Sequence, residues 1–162
     1  MAHVSKIVGF DRVMKNLNVE LIKIKGRTAG GLIKAAAFVR SDMEATAPTT
    51  PVDLGNLRAS WFATTATQIA HGKGISRFKG SKAGILASEH SSMLTEAKAL
   101  AGKDRRKITL ILGYSANYAL WVHEKIGAKF KRPGAGPKWF EAAMKRNSKK
   151  IIRIVADNAK IR

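Results

Sequence analysis

The chain has 162 residues, 45% of them hydrophobic, and 30 Lys and Arg against 11 Asp and Glu give it a formal net charge of +19. That length fits one domain with a real core, and the hydrophobic fraction argues against a disordered tail. The absence of cysteine excludes disulfides and thiolate metal sites.

The charge surplus points to polyanion company, because basic side chains release counterions from phosphate backbones; the plainer alternative is a solvated basic surface. Met1-Ala2-His3-Val4-Ser5-Lys6 carries no signal-peptide hydrophobic run. No apolar stretch approaches the roughly 20 residues that span a bilayer. The expectation is a protein that is soluble when made and has no membrane partner.

Val13, Leu17, Leu21 and Ile24 recur at helical spacing and predict an amphipathic helix from Phe10 to Lys25. Gly26 and Gly30-Gly31 predict an interruption. A second helix is expected from Leu32 to Ala47, with Leu32, Ala36, Val39 and Met43 on one side and Pro48 ending it. Ala35, Ala36 and Ala37 permit close approach by a neighbour. Each helix is expected to bury one face.

Thr46 to Asn56 is turn chemistry, with Pro48, Pro51, Asp53 and Gly55 close together. Alternation and threonine content over Leu57–Thr67 predict a strand. The Gly-, Ser- and Lys-rich residues 71–107 read as a long flexible loop with room for a short helix from Ser91 to Leu100. Lys107–Gly113 predicts a buried strand, and Tyr114–Ile126 a helix with Tyr118, Trp121, Val122 and Lys125 on one face.

Residues 127–137 form a basic Pro/Gly arm. Pro137 is suited to the first position of a final helix, whose apolar side holds Phe140, Ala143, Met144, Ile151, Ile154 and Val155. Its other side holds Lys145, Arg146, Lys149, Lys150 and Arg153. The fold class expected is α+β in a single domain, residues 1–162: a small antiparallel or mixed sheet packed by N- and C-terminal helices, with a long loop between the main strands.

Catalysis needs converging nucleophiles, bases or metal ligands. His3, His71, His90 and His123 are scattered, and none has a partner at metal-binding spacing. His123 and Glu124 are sequence neighbours, so on a helix they should diverge rather than share a metal. Gly72-Lys73-Gly74 and Gly80-Ser81-Lys82 lack the GxxxxGK[ST] pattern and are not expected to open a helix after a strand. The expectation is a non-enzyme with no cofactor, metal or catalytic residue. Twelve Lys or Arg against Glu141 and Asp157 in residues 125–162 place +10 of the charge there. Such a face can follow phosphates, meet an acidic protein or be merely solvated, so Lys145, Arg146, Lys149, Lys150 and Arg153 are the candidate DNA-facing or acidic-partner-facing set.

Two blocks say more than composition: Ala47-Pro48-Thr49-Thr50-Pro51-Val52-Asp53-Leu54-Gly55-Asn56-Leu57-Arg58-Ala59-Ser60, and Tyr118-Ala119-Leu120-Trp121-Val122-His123-Glu124 followed by Pro137-Lys138-Trp139-Phe140-Glu141-Ala142-Ala143. Together they resemble the neck or tail-component (tail-completion) family of long-tailed bacteriophages, the gene-ten-like proteins. The resemblance covers roughly Leu32–Ile154 in the family's order. The chain departs from the pattern in Leu54, where Thr is frequent, in lacking the common Gly-Thr after the second block, and in its Lys-rich arm.

The resemblance implies a structural virion protein made in the host bacterial cytoplasm. It implies a homo-oligomeric ring, sixfold or twelvefold, that joins the head-completion complex to the tail around the DNA channel. The implied partners are the head-closure protein, the tail terminator and tail-tube proteins, and genomic DNA passing without sequence specificity. Alternatives are a tail terminator or a free basic nucleic-acid-binding protein. Within the blocks, Asp53 is suited to accept backbone N–H bonds, Gly55 to adopt positive φ, and Arg58 to pair with a carboxylate such as Glu124. Tyr118 and Trp121 are expected to anchor their helix on the sheet or, with Arg58, His123 and Glu124, to form a subunit contact.

Overall fold

A computed structural model describes residues 10–71 and 78–160. The elements run α1 (Phe10–Ala45), α2 (Asn56–Ala59), β1 (Trp61–Thr65), β2 (Ile69–His71), α3 (Ala83–Ala101), β3 (Leu110–Tyr114), α4 (Ala119–Glu124) and α5 (Trp139–Ala159). The three strands form one antiparallel sheet in the order β2-β1-β3. This is the α+β architecture expected, with the sheet flanked by the first and last helices.

The two N-terminal helices expected are one continuous helix of 36 residues. Glycine weakens a helix by about 1 kcal/mol per residue without breaking it, and here packing outweighs that cost. A Cβ at Gly31 would stand 3.1 Å from Val155 Cα and 3.1 Å from Asn158 Cβ, so Gly31 lets α1 and α5 approach closely. The two helices run antiparallel: Lys34 donates to Asn158 at 2.7 Å, and Arg146 reaches Asp42 and the carbonyl of Ala47. Ala35, Ala36, Val39 and Met43 are buried, as the pattern of the second half predicts.

The first half behaves otherwise. Every residue from 11 to 23 is exposed, Val13, Leu17 and Leu21 included. Most of the stripe read as a core face lies beyond the last turn of α5: among the described residues only Ile24, at its inner end, is half-buried.

The main core joins Val39, Met43, Leu57, Trp61, Ala116, Ala119, Trp139 and Ala143. At its centre Trp61, Tyr114 and Trp139 meet edge to face, with ring centroids 5.2 and 5.9 Å apart, a geometry that adds to simple burial. Trp139 Nε1–H donates to Tyr114 Oη at 3.2 Å. A second cluster seats α3 on the sheet through Phe62, Leu94 and Ala97. Because helices cover both faces of β1, all five of its residues are buried and the expected alternation has no solvent side.

Four further boundaries differ from expectation. Residues 56–59 are helical, so the strand starts at Trp61. The connection between β2 and β3 contains the 19-residue α3, which starts eight residues before the short helix foreseen. Its buried side is Leu86, His90, Leu94, Ala97 and Ala101, in which histidine and alanine dilute the apolar period. Residues 114–118 are not helical, and α4 has only six residues. Pro137 does not begin α5: Lys138, in the left-handed region at φ 57°, is its N-cap.

Candidate interaction surfaces

The turn block is pinned rather than loose. Thr49 and Pro51 are buried, and the Thr49 N–H donates to Gly134 O at 2.8 Å, tying the turn to the Pro/Gly arm. Pro48 follows a cis peptide bond and is half-buried. A Cβ on Gly136 would stand 3.0 Å from Pro48 Cβ, so glycine there allows the two segments to meet. Gly55 takes φ 90° immediately before α2, as the sequence requires. Asp53 departs from expectation, because its carboxylate accepts from Lys131 at 2.5 Å across the arm.

Arg58 pairs with Glu44 and not with Glu124. Its Nε donates to Glu44 Oε1 at 3.0 Å, and Nη2 lies 2.9 Å from Oε2. Arg132 donates to the same carboxylate at 2.8 Å and to the carbonyls of Glu44 and Thr50. Glu44 thus gathers α1, α2 and the arm, so residues 127–137 are clamped to the body. That role for Arg132 was not legible, since the segment reads only as basic and proline-rich.

Glu124 sits at the α4–α5 junction. Hydrogen bonds from Lys138, then from His123, hold its carboxyl below the usual range, and the same contact raises the Lys138 ammonium. His123 Nδ1 lies 2.7 Å from Glu124 Oε1, so these neighbours meet where divergence was expected. Glu124 closes the short helix and its side chain folds back. The His123 ring packs on Trp139 at 4.8 Å. Tyr118 is half-buried against the main core.

Trp121 is different. It is 63% exposed, beside Leu120 at 72% and Ile126 at 81%, and Lys125 Nζ lies 4.2 Å over its ring. The expectation that Trp121 anchors α4 on the sheet fails. α4 is too short to bury two faces, and Ala119 with Val122 supplies the inward one.

The basic side of α5 is partly committed. Arg146 bonds Asp42 at 2.5 Å, Lys145 bonds Glu141 at 2.6 Å, and Lys150 lies 4.1 Å over Phe38. Arg153 approaches Asp157 at 3.7 Å, while Lys149, among the described residues, has no ion pair.

A cleft of about 680 Å³ opens between the turn block, the start of α3, α4 and the arm. Its walls include Leu54, Ile85, Tyr118, Val122 and Phe130. Gly80-Ser81-Lys82, on this rim, does lead into a helix, contrary to expectation. It still lacks the phosphate-loop pattern, and Gly72-Lys73-Gly74 and His3 lie outside the described residues. His90 is buried with Nδ1 2.6 Å from Ser115 Oγ, a packing role. Among the described residues, no group of three His, Asp or Glu is placed to hold a metal. No helix among them is long and apolar enough to cross a membrane. Compared with known protein families, with curated proteins and with solved structures, the chain matches none.

Proposed function

We propose that this chain is a non-enzymatic structural protein of a phage neck, an adaptor whose copies close into a ring between the head-completion complex and the tail. The observation that carries this reading is a pair of apolar surfaces left exposed, among the described residues, at opposite ends of the α1–α5 pair. One is the outer half of α1, with Val13, Leu17 and Leu21; the other is the Leu120–Trp121–Ile126 patch.

Their separation follows from the helix pair. The start of α5 abuts the C-terminal end of α1 and bonds back to α4, Lys138 N–H donating to His123 O at 2.8 Å. The free half of α1 points the other way along a helix of 36 residues, about 54 Å at 1.5 Å per residue. Two different sticky surfaces on one chain suit heterologous head-to-tail contacts, which close into rings when the rotation allows. The net charge of +19 suits a position beside a DNA channel or an acidic neighbouring ring.

The charge also favours a second reading, a free nucleic-acid-binding protein. The test is particle completion in an infected host supplied with wild type, Trp121→Ala, Arg58→Ala, or Lys145→Gln with Lys149→Gln and Lys150→Gln. Folded Trp121→Ala should leave heads and tails unjoined, with the charge variant and Arg58→Ala, whose guanidinium is already paired with Glu44, milder. A monomer that recognises one short duplex sequence at physiological salt, and is absent from purified particles, overturns the proposal.

A further inference from the structure

The cleft beside the turn block is not used by the ring reading, and its composition selects a ligand. Leu54 and Ile85 remain 57% and 61% exposed on its walls. With Tyr118, Val122 and Phe130 they make an apolar seat large enough for a bulky side chain. Lys79 and Lys82 stand on the rim at the start of α3, and Lys129 on the arm; among the described residues none of the three has an ion pair. The positive end of the 19-residue α3 adds to the same rim.

We infer that this cleft binds an acidic protein segment carrying one large apolar side chain, the apolar group seated among Leu54, Ile85 and Phe130 and flanking carboxylates meeting Lys79, Lys82 and Lys129. Charge complementarity selects an acidic occupant over a second copy of this strongly basic chain. Glu89 selects peptide over nucleic acid. It lines the cleft, and among the described residues its buried Oε2 has no hydrogen-bond partner. A buried acceptor left unpaired is costly, and a backbone N–H of a bound peptide can donate to it, whereas a phosphate backbone carries no donor. Asp53, the other carboxylate of the lining, is already neutralised by Lys131. The inference does not depend on the ring, because it concerns the isolated full-length chain.

The experiment titrates full-length protein into a labelled short peptide, one Trp flanked on both sides by Asp and Glu, and reads anisotropy. The comparison peptides replace the Trp by Ser, or the acids by Lys. The expected result is binding that needs both the Trp and the acids. It should weaken about tenfold in Ile85→Glu and in Leu54→Glu, whose wild-type side chains are exposed enough for both variants to fold. Lys82→Glu should weaken it about fivefold. Lys149→Glu, which changes net charge equally on the outer face of α5, should change it less than about twofold. Equal binding of the Trp and Ser peptides, equal effects of Lys82→Glu and Lys149→Glu, or indifference to Ile85→Glu would overturn the assignment, since each would mean attraction to net charge alone. Displacement of the peptide by duplex DNA with the same sensitivity to Ile85→Glu would assign the cleft to nucleic acid and overturn it too.

Discussion

At the scale of single residues, side chains of similar chemistry have opposite consequences here because of where the chain puts them. Trp139 is fully buried and Trp121 is exposed. Truncating Trp139 to Ala should therefore cost about 3–5 kcal/mol of stability, while Trp121→Ala should stay within about 0.5 kcal/mol of wild type. Denaturant titration of both variants checks this, and equal losses would contradict the placement. Gly55 isolates a backbone effect, since a Cβ there meets nothing within 4 Å. Gly55→Val should still cost on the order of 1 kcal/mol or more, because φ 90° is strained for a β-branched residue; an unchanged melting temperature would refute it.

Asp42 supplies a pH test. Burial pushes its carboxyl up, but hydrogen bonds from Arg146, Asn147 and Thr46 with the Arg146 charge outweigh that and leave it below the ordinary range. A depressed carboxyl contributes stability above its unfolded pKa and loses it as pH falls through the folded value. The gap in melting temperature between wild type and Asp42→Asn should be constant near neutrality and narrow on acidification below the ordinary aspartate range. A gap that widens in acid would reverse the sign and reject the ion pair as its source.

At the scale of elements, the outer half of α1 is the part whose behaviour most needs a partner. Isolated helices shorter than about 12–15 residues are marginal in water, and residues 11–23 are all exposed. Hydrogen exchange of these amides should be fast in dilute monomer and slow by at least about tenfold in the assembled state. Slow exchange in the monomer would show that the segment is covered within one chain.

The sequence pattern carries β1, β3 and α5 as elements, because their apolar periods are long or their β-branched content is high, but it splits α1 in two at its glycines, starts β1 four residues early and reads β3, half-buried throughout, as a buried strand. It shows only the second half of α3, foreseen as a short helix from Ser91 to Leu100, because the inner side uses His90, Ala97 and Ala101, and it cannot tell an apolar stripe facing the core from one facing a neighbour. Gly55 is legible because its conformation is local. The Glu44–Arg58–Arg132 cluster is not, because Arg132 is 88 residues from Glu44 and nothing local marks the pair. The cleft is hidden for the same reason: its walls come from four separated stretches.

At the scale of the whole molecule, a charge of +19 opposes self-association, and the two apolar surfaces oppose solubility as a monomer. The proposed ring would resolve both, its copies covering each other's apolar ends and its basic surfaces facing DNA or acidic neighbours. The balance is salt-dependent, since screening shortens repulsion to about 8 Å at physiological ionic strength. Assembly should therefore strengthen as salt rises, whereas binding to phosphate should weaken. The most direct measurement is the native mass of the purified full-length protein across concentration and salt, for wild type and for Leu17→Glu with Leu21→Glu. The account predicts one discrete closed oligomer for wild type, favoured by salt, and a folded monomer for the variant. A wild-type protein that stays monomeric throughout, or a variant that assembles as wild type does, would contradict it.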